Sequence, residues 1–336
     1  MEAVLSGYRE LVSAKLLGEL PRGEPEYAYS LLSAYPRRPG KGLRPTLCLA
    51  TCDALGGDVE LALNSAIAIE LFHNAFLIHD DVQDQSEMRR GRPTLNAEHG
   101  VAIALNVGNM TNLAGLYRLF NNRPALGAAL SWRIFQETEL MMRHSLEGQA
   151  IELGWIKDNA SSLVEDDYFR MCLKKTSWYT CIYPCRIGAL VARGDTFDTA
   201  CIDQYGWYLG AAFQIQDDVL NLMGDYGAYG KEIGGDLWEG KRTLMLLRLQ
   251  QLLRGAELRR LQSFLSRSRQ QRDAADVTWL RERMIETGCI QHARDYADQL
   301  SAEALRLGRE AFGGLPDSAA RNFLLELPRY MVERDH

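Results

Sequence analysis

Apolar residues recur every three or four positions along almost the whole chain, and period-two alternation is nearly absent. The run Leu63, Ile67, Leu71, Ala75 and Ile78, with Ile69, Phe72 and Phe76 alongside, is representative. Side chains at that spacing share one face of an α-helix, whereas a half-buried strand needs alternation, so the pattern dictates an all-α fold. Prolines then limit where the helices run. None lies between Pro184 and Pro316, which leaves room for several long helices, while Pro184 itself should kink one. The predicted helices cover 3–20, 43–56, 59–85, 95–121, 124–155, 165–193, 197–223, 241–253, 256–267, 275–287, 290–311 and 316–333. The stretch 224–240, "GDYGAYGKEIGGDLWEG", holds six glycines and no periodicity, and is predicted to be a loop.

At 336 residues the chain can form one large helical domain over 1–336 with a generous core. Its 44 acidic and 38 basic side chains give a net charge of −6, so bulk electrostatics favour neither nucleic acid nor an anionic membrane surface. An anionic substrate must therefore be met by a local site. The seven cysteines are odd in number, fall mostly in apolar helical segments and show no CxxC spacing, which reads as reduced core thiols. Charges at Glu2, Arg9, Glu10 and Lys15 interrupt the N-terminus as a secretory signal, and no apolar run of roughly 18 residues is evident. The expectation is a cytoplasmic protein without stable membrane insertion.

Two acidic clusters stand out. In "HDDVQD" the carboxylates Asp80, Asp81 and Asp84 occupy i, i+1 and i+4, so Asp80 and Asp84 project together with Asp81 about 100° round the helix. In "FQIQDDVLN" Asp217, Asp218 and Asn221 repeat the spacing, again after an apolar run near a predicted helix end. Carboxylates this close repel unless cations lie among them, and oxygen ligands without histidine or cysteine suit Mg²⁺. A lone cluster of this kind reads first as a solvated helix end; the repetition argues for metal. Antiparallel packing in a helical bundle can bring two such ends face to face, with a diphosphate bridging their ions. Arg89 and Arg90, just downstream, are then expected to neutralise phosphate rather than aspartate, because a guanidinium matches phosphate oxygens in bidentate fashion.

Five further motifs in order complete a resemblance. "GKGLRP" at 40–45, "HDDVQD" with "RRGRPT", "EGQAIELGW" at 147–155, "KKTSW" at 174–178, and "FQIQDDVLN" with "GKEIGGDLWEGKRTL" are similar to the motifs of trans-isoprenyl diphosphate synthases of the polyprenyl synthetase family, over roughly residues 35–245. The resemblance implies a helical bundle around a central cavity and a homodimer. It implies that Asp80, Asp81 and Asp84 bind two Mg²⁺ ions and Asp217 with Asp218, and Asn221 in support, a third. Arg89, Lys175, Thr176, Lys231 and Lys241 would complete the site for an allylic prenyl diphosphate, with Gln214 and Asp236 assisting. Lys41, Arg44, His73 and Arg90 would hold isopentenyl diphosphate. The allylic cation would be attacked by the double bond of isopentenyl diphosphate, and the released diphosphate would accept the last proton.

Each of these residues has a plainer reading. Lys241 suits a helix start, His73 a hydrogen-bonded core position, and Gln149 a bridge between helices; Lys174 reads as a solvated neighbour, and Tyr226 and Trp238 as loop packing. Asn221, Asn109 and Asn96 stand where the family commonly has Asp, Asp and His. Product length should be set one and two turns before Asp80, by Phe76 and Phe72 with the small Ala75 beside them, which predicts a C15–C20 product with geranylgeranyl diphosphate favoured. Two rivals remain: a class I terpene cyclase on the same fold, which needs no isopentenyl diphosphate pocket, and a non-catalytic subunit of a prenyl synthase.

Overall fold

The computed structural model describes residues 1–224 and 234–334. The all-α expectation holds. In chain order the helices are α1 (Glu2–Glu19), α2 (Glu26–Tyr29), α3 (Leu43–Ala54), α4 (Val59–Gln83), α5 (Leu95–His99), α6 (Val101–Phe120), α7 (Arg123–Lys157), α8 (Glu165–Cys172), α9 (Tyr183–Arg193) and α10 (Ala200–Met223), then α11 (Gly235–Glu239), α12 (Leu244–Leu252), α13 (Gly255–Leu265), α14 (Ala274–Glu286), α15 (Cys289–Phe312) and α16 (Ala319–Glu333).

Where the elements depart from the sequence reading, a local cause is visible. The predicted helix 95–121 is divided at Gly100, whose φ of +83° lies outside the helical region. Predicted helix 165–193 is α8, a π-helical stretch Leu173–Ile182 and α9. Pro184 occupies the first turn of α9, where its missing N–H is tolerated, and the expected irregularity falls in the wider turns just before it. A hairpin pairing Met88–Arg89 with Arg92–Pro93 follows α4, where the sequence pattern shows no strand. Its loop residues Arg90 and Gly91 both have positive φ, +52° and +73°, the signature of a type I′ turn. Two-residue strands carry no periodicity to read. The predicted loop 224–240 contains α11, and its residues Tyr226 and Lys231 lie outside the described residues.

The chain divides into two compact units. The first comprises Met1–Met141, Tyr179–Tyr205 and Arg306–Leu327; the second comprises Met142–Trp178, Gly206–Leu305 and Pro328–His336. At the centre of the first is α4, whose N-cap Asp58 accepts a hydrogen bond from the Glu60 amide at 2.9 Å. By length and composition α4 could cross a membrane, yet 72% of its apolar window is buried inside the protein, which makes it a core helix. Ile67, Phe72, Leu47 of α3, Val107 of α6 and Ile187 of α9 are all fully buried. The second unit has its own core of Tyr168, Ile215, Val219, Leu246, Leu249, Phe264, Leu280 and Met284. The cysteines are free thiols, buried except for Cys201, which is exposed and so departs from the core reading.

Candidate active site

In the first unit the acidic trio ends α4, with Asp84 as the helix C-cap. Asp81 is fully buried and saturated: Arg89 Nε donates to its two oxygens at 2.7 and 2.8 Å, Arg89 Nη2 lies 2.6 Å from Oδ1, and the Tyr35 hydroxyl donates to Oδ2. Asp80, with 26% of its side chain exposed, receives a longer 3.3 Å contact from Arg89. Arg89 is thus held by Asp81 and Asp80, whereas the sequence reading assigns it to phosphate. Its side chain is 7% exposed, and withdrawing it would strand a buried carboxylate. Burial alone would lower its pKa, but Asp81 and Asp80 more than offset that and hold it charged.

The hairpin turns Arg90 away from this cluster. A Cβ added to Gly40 would lie 2.7 Å from Arg90 Nη1, so the backbone beside Lys41 meets the Arg90 guanidinium only because residue 40 has no side chain. Arg44, on the first turn of α3, contacts His73 Nε2 at 3.4 Å and donates to Tyr179 Oη at 2.6 Å and Thr180 Oγ1 at 2.9 Å. Burial, and then the Arg44, Arg90 and Arg89 cations, push the His73 pKa well down, so its ring is neutral at pH 7. Arg44 Nε and His73 Nδ1 are buried without a hydrogen-bond partner. Glu70, one turn earlier on α4, is the carboxylate that faces these cations; burial raises its pKa while Arg90 and Arg44 pull it down. Arg44, His73 and Arg90 thus lie close to one another.

Of the chain-length candidates, Phe72 is fully buried against α6, where a Cβ on Gly115 would lie 2.7 Å from its ring. Ala75 is fully buried, and Phe76 is half-buried with its ring edge-on to Tyr179, centroids 5.4 Å apart. Asn96 Nδ2 donates to the Ser86 carbonyl at 3.1 Å, and Asn109 is exposed.

In the second unit α10 carries the other trio. Asp218 is buried and receives the Tyr168 hydroxyl at 2.7 Å and Gln214 Nε2 at 2.7 Å, while Gln214 Oε1 accepts from Thr176 Oγ1 at 2.6 Å. Burial raises the Asp218 pKa well above the carboxylate range, and Asp236 and Glu152 add to the rise against the two hydrogen bonds. Asp217 is more open, 35% exposed, and is paired with Arg334, whose guanidinium also stacks 4.3 Å over Phe213. Lys175 pairs with the buried Glu152, and a Cβ on Gly148 would lie 2.2 Å from the Lys175 amide nitrogen, so a glycine is required at this crossing. Lys174 pairs with Glu147, in keeping with a peripheral role. Lys241 lies 2.6 Å from Glu239 and 3.5 Å from Asp236. Asn221 differs from the ligand role expected of it. Its Oδ1 accepts the Asp236 amide at 3.1 Å and its carbonyl the Gly234 amide at 2.7 Å, so this oxygen tethers α11.

Residues 25–284 match the profile of the polyprenyl synthetase family. The chain belongs to that family. It is 30% identical over 333 residues to the geranylgeranyl pyrophosphate synthase of Geoglobus acetivorans, covering 99% of each chain. Among solved structures it superposes with a TM-score of 0.85 on geranylgeranyl pyrophosphate synthetase of Pyrococcus horikoshii, at 28% identity and 99% coverage of both chains. A TM-score of 0.85 at 25% identity also relates it to a polyprenyl synthase of Caulobacter crescentus complexed with calcium and isoprenyl diphosphate, covering 100% of this chain and 96% of that one. The protein is thus a trans-prenyltransferase, and the fold class is that of the isoprenoid synthases.

Polyprenyl synthetases are magnesium-dependent, and the carboxylate oxygens of the two trios are chemically suited to such an ion. Among the described residues no three His, Cys, Asp or Glu side chains form a ready metal cage. Mg²⁺ takes one or two carboxylates and completes its shell with water and phosphate oxygens. Asp218 is buried near Asp236 and Glu152 and, among the described residues, has no cation bonded to it, so a divalent ion would relieve its negative charge. Sequence reasoning missed Tyr35, Tyr168, Tyr179, Glu70 and Arg334. Tyr35 and Glu70 lie just upstream of quoted motifs, and Tyr179 immediately follows one. Arg334 has no local signal, being 117 residues from Asp217.

Proposed function

We propose that this polyprenyl synthetase condenses isopentenyl diphosphate with an allylic prenyl diphosphate by ionisation, condensation and elimination, releasing a C15–C20 diphosphate with geranylgeranyl favoured. The carrying observation is the pair of cations Arg44 and Arg90 around the neutral His73 ring, with orphaned donors at Arg44 Nε and His73 Nδ1, in addition to the acidic trios. An enzyme that only ionises and cyclises one diphosphate needs no second anion site; one that joins two diphosphates does. The names of the relatives, geranylgeranyl diphosphate synthases among them, support the same reading.

Three Mg²⁺ ions, held by Asp80 and Asp84 and by Asp217 with Asp218, would supply Lewis-acid stabilisation of the departing diphosphate. Asp81 fixes Arg89 so that its positive field stays at this end of α4. Lys175 and Lys241 would add positive charge to the leaving anion, an electrostatic contribution that Lys231, outside the described residues, would join. Gln214 links Thr176 to Asp218 and keeps that carboxylate oriented. On the isopentenyl side Arg44 faces His73 Nε2, so the neutral ring carries its proton on Nδ1 and offers it to a phosphate oxygen beside Lys41 and Arg90.

Phe76, propped edge-on by Tyr179, is the floor for the growing chain. The row of exposed apolar residues Leu113, Tyr117 and Phe120 on α6, 58%, 67% and 68% exposed, supports a homodimer, which sedimentation analysis returning only monomer would remove. A cytoplasmic, membrane-free enzyme fits the burial of α4. Purified protein with Mg²⁺, isopentenyl diphosphate and each allylic diphosphate should give linear alcohols of fifteen or twenty carbons after phosphatase treatment. Cyclic hydrocarbons or no turnover would overturn the assignment. Phe76→Ala should lengthen the products, and an unchanged distribution would refute the floor.

A further inference from the structure

Two arginines outside the paired carboxylates of the site are buried almost completely, Arg242 at 2% and Arg272 at 7% exposure. Both bind neutral oxygens. Arg242 donates to the Gly240 carbonyl, to Asn159 Oδ1 at 2.7 Å and to the Ala160 carbonyl at 3.4 Å. Arg272 donates to the Trp238 carbonyl at 2.5 Å and to the Phe264 and Leu265 carbonyls, each at 3.4 Å. A buried guanidinium without a hydrogen-bonded carboxylate is unfavourable unless its donors are used, and here they are used on backbone carbonyls and one side-chain amide oxygen.

What the two arginines grip is the C-terminal end of α11. Gly240 leaves the helix with φ +77°, and a Cβ there would lie 2.5 Å from Arg272 Nη2, so glycine is needed both for the backbone angle and for the approach of the arginine. Asn221 holds the other end through the Asp236 amide. The short helix so pinned carries Asp236 at its start and is followed at once by Lys241, whose ammonium pairs with Glu239 and Asp236. Arg269 lies 3.6 Å from Glu239 on the same side. Five residues of helix have little stability alone, so the position of Asp236 and Lys241 depends on these external grips.

We propose that Arg272, which belongs to none of the sequence motifs, is a positioning residue for the allylic diphosphate site: by clamping the Trp238–Gly240 backbone it sets where Lys241 and Asp236 stand. This rests on the reading of Lys241 as a diphosphate ligand. Lysine at 272 keeps the charge but cannot span three carbonyls, and methionine removes the bonds while filling the space.

The test measures KM for the allylic diphosphate, KM for isopentenyl diphosphate, kcat, and the affinity of Mg²⁺-inorganic pyrophosphate by calorimetry. Arg272→Met should raise the allylic KM and weaken pyrophosphate by about tenfold, the scale of one lost hydrogen bond to a charged group, with the isopentenyl KM within about twofold of wild type. Arg272→Lys should fall between the two, and it alone decides the question if the methionine variant does not fold. Arg267→Ala breaks ion pairs to Asp273 and Asp276 on the neighbouring turn and should lower the melting temperature while leaving the allylic KM unchanged. If both Arg272 variants keep the wild-type allylic KM while Lys241→Met raises it, the clamp is refuted and the site reading stands. If Lys241→Met also leaves that KM unchanged, the site reading itself is refuted, and the clamp with it.

Discussion

The two acidic trios share a spacing and a detail that the spacing does not reveal. In each, the second carboxylate is buried and takes a tyrosine hydroxyl, Tyr35 on Asp81 and Tyr168 on Asp218, while the first is partly open and faces an arginine, Arg89 near Asp80 and Arg334 on Asp217. They differ in charge balance. Asp81 has a buried guanidinium bonded to both oxygens; among the described residues Asp218 has only neutral donors, with Asp236 and Glu152 nearby. Asp81 is neutralised by the chain itself, whereas Asp218 retains a repulsion that an added cation would relieve.

The largest effect should come from breaking the neutralised pair. Arg89→Met leaves Asp81 buried and unpaired, and unfolding in denaturant should show a loss of about 3–5 kcal/mol. Adding Asp81→Asn should restore a large part of that, because the stranded charge rather than the lost bond dominates. A double variant as unstable as the single one would mean that the pair contributes through its geometry instead.

Asp218→Asn should do the reverse. Activity should fall roughly a thousandfold, while the metal-free protein gains about 1 kcal/mol or more at pH 7. The pH dependence follows from the raised pKa of Asp218, caused by burial and then by Asp236. The folded state keeps the proton to higher pH than the unfolded chain, so the wild type is fully stabilised below about pH 4 and loses stability as pH rises through the elevated pKa. The advantage of the asparagine variant should therefore be present at neutral pH, absent in acid, and reduced when Mg²⁺ and pyrophosphate are added. Thermal melts across pH measure it, and an equal shift at every pH would refute the charge argument.

The same contrast explains what could be read from the sequence. Arg89 lies eight residues after Asp81, within one motif, so its involvement was legible while its hold on Asp81 was not: spacing gives proximity, but burial decides which oxygen a guanidinium serves. The helices were legible because their faces are apolar at helical intervals. The hairpin at 88–93 was not, since its turn is specified by Gly91 and by an arginine with positive φ rather than by a hydrophobic pattern. The amide at 221 reads as a weakened ligand in one dimension and as the tether of α11 in three, because the Asp236 amide that it binds is fifteen residues away across an unpatterned segment. Tyr168 and Arg334 reach the second trio from 50 and 117 residues away, distances over which no spacing rule operates.

Arg334 offers the finest test of the comparison. Its guanidinium occupies Asp217 Oδ1, an oxygen proposed for a metal ion, and is held there by the Phe213 ring and by a bond from Gln216 Nε2 to its own carbonyl at 3.0 Å. Unlike Arg89 it pairs with a carboxylate that is 35% exposed, so solvent can replace it, and Arg334→Ala should change stability by less than about 1 kcal/mol. A guanidinium and a divalent cation compete for the same oxygen and repel each other, so removing the arginine should lower the Mg²⁺ concentration for half-maximal pyrophosphate binding a few-fold, about the effect of one partly screened charge. The shift should shrink as salt is raised, because exposed charges are screened over about 10 Å at 0.1 M ionic strength. Were the variant to need more Mg²⁺ instead, Arg334 would be orienting Asp217 rather than competing for it. The second trio would then resemble the first, each with an arginine supporting its carboxylates.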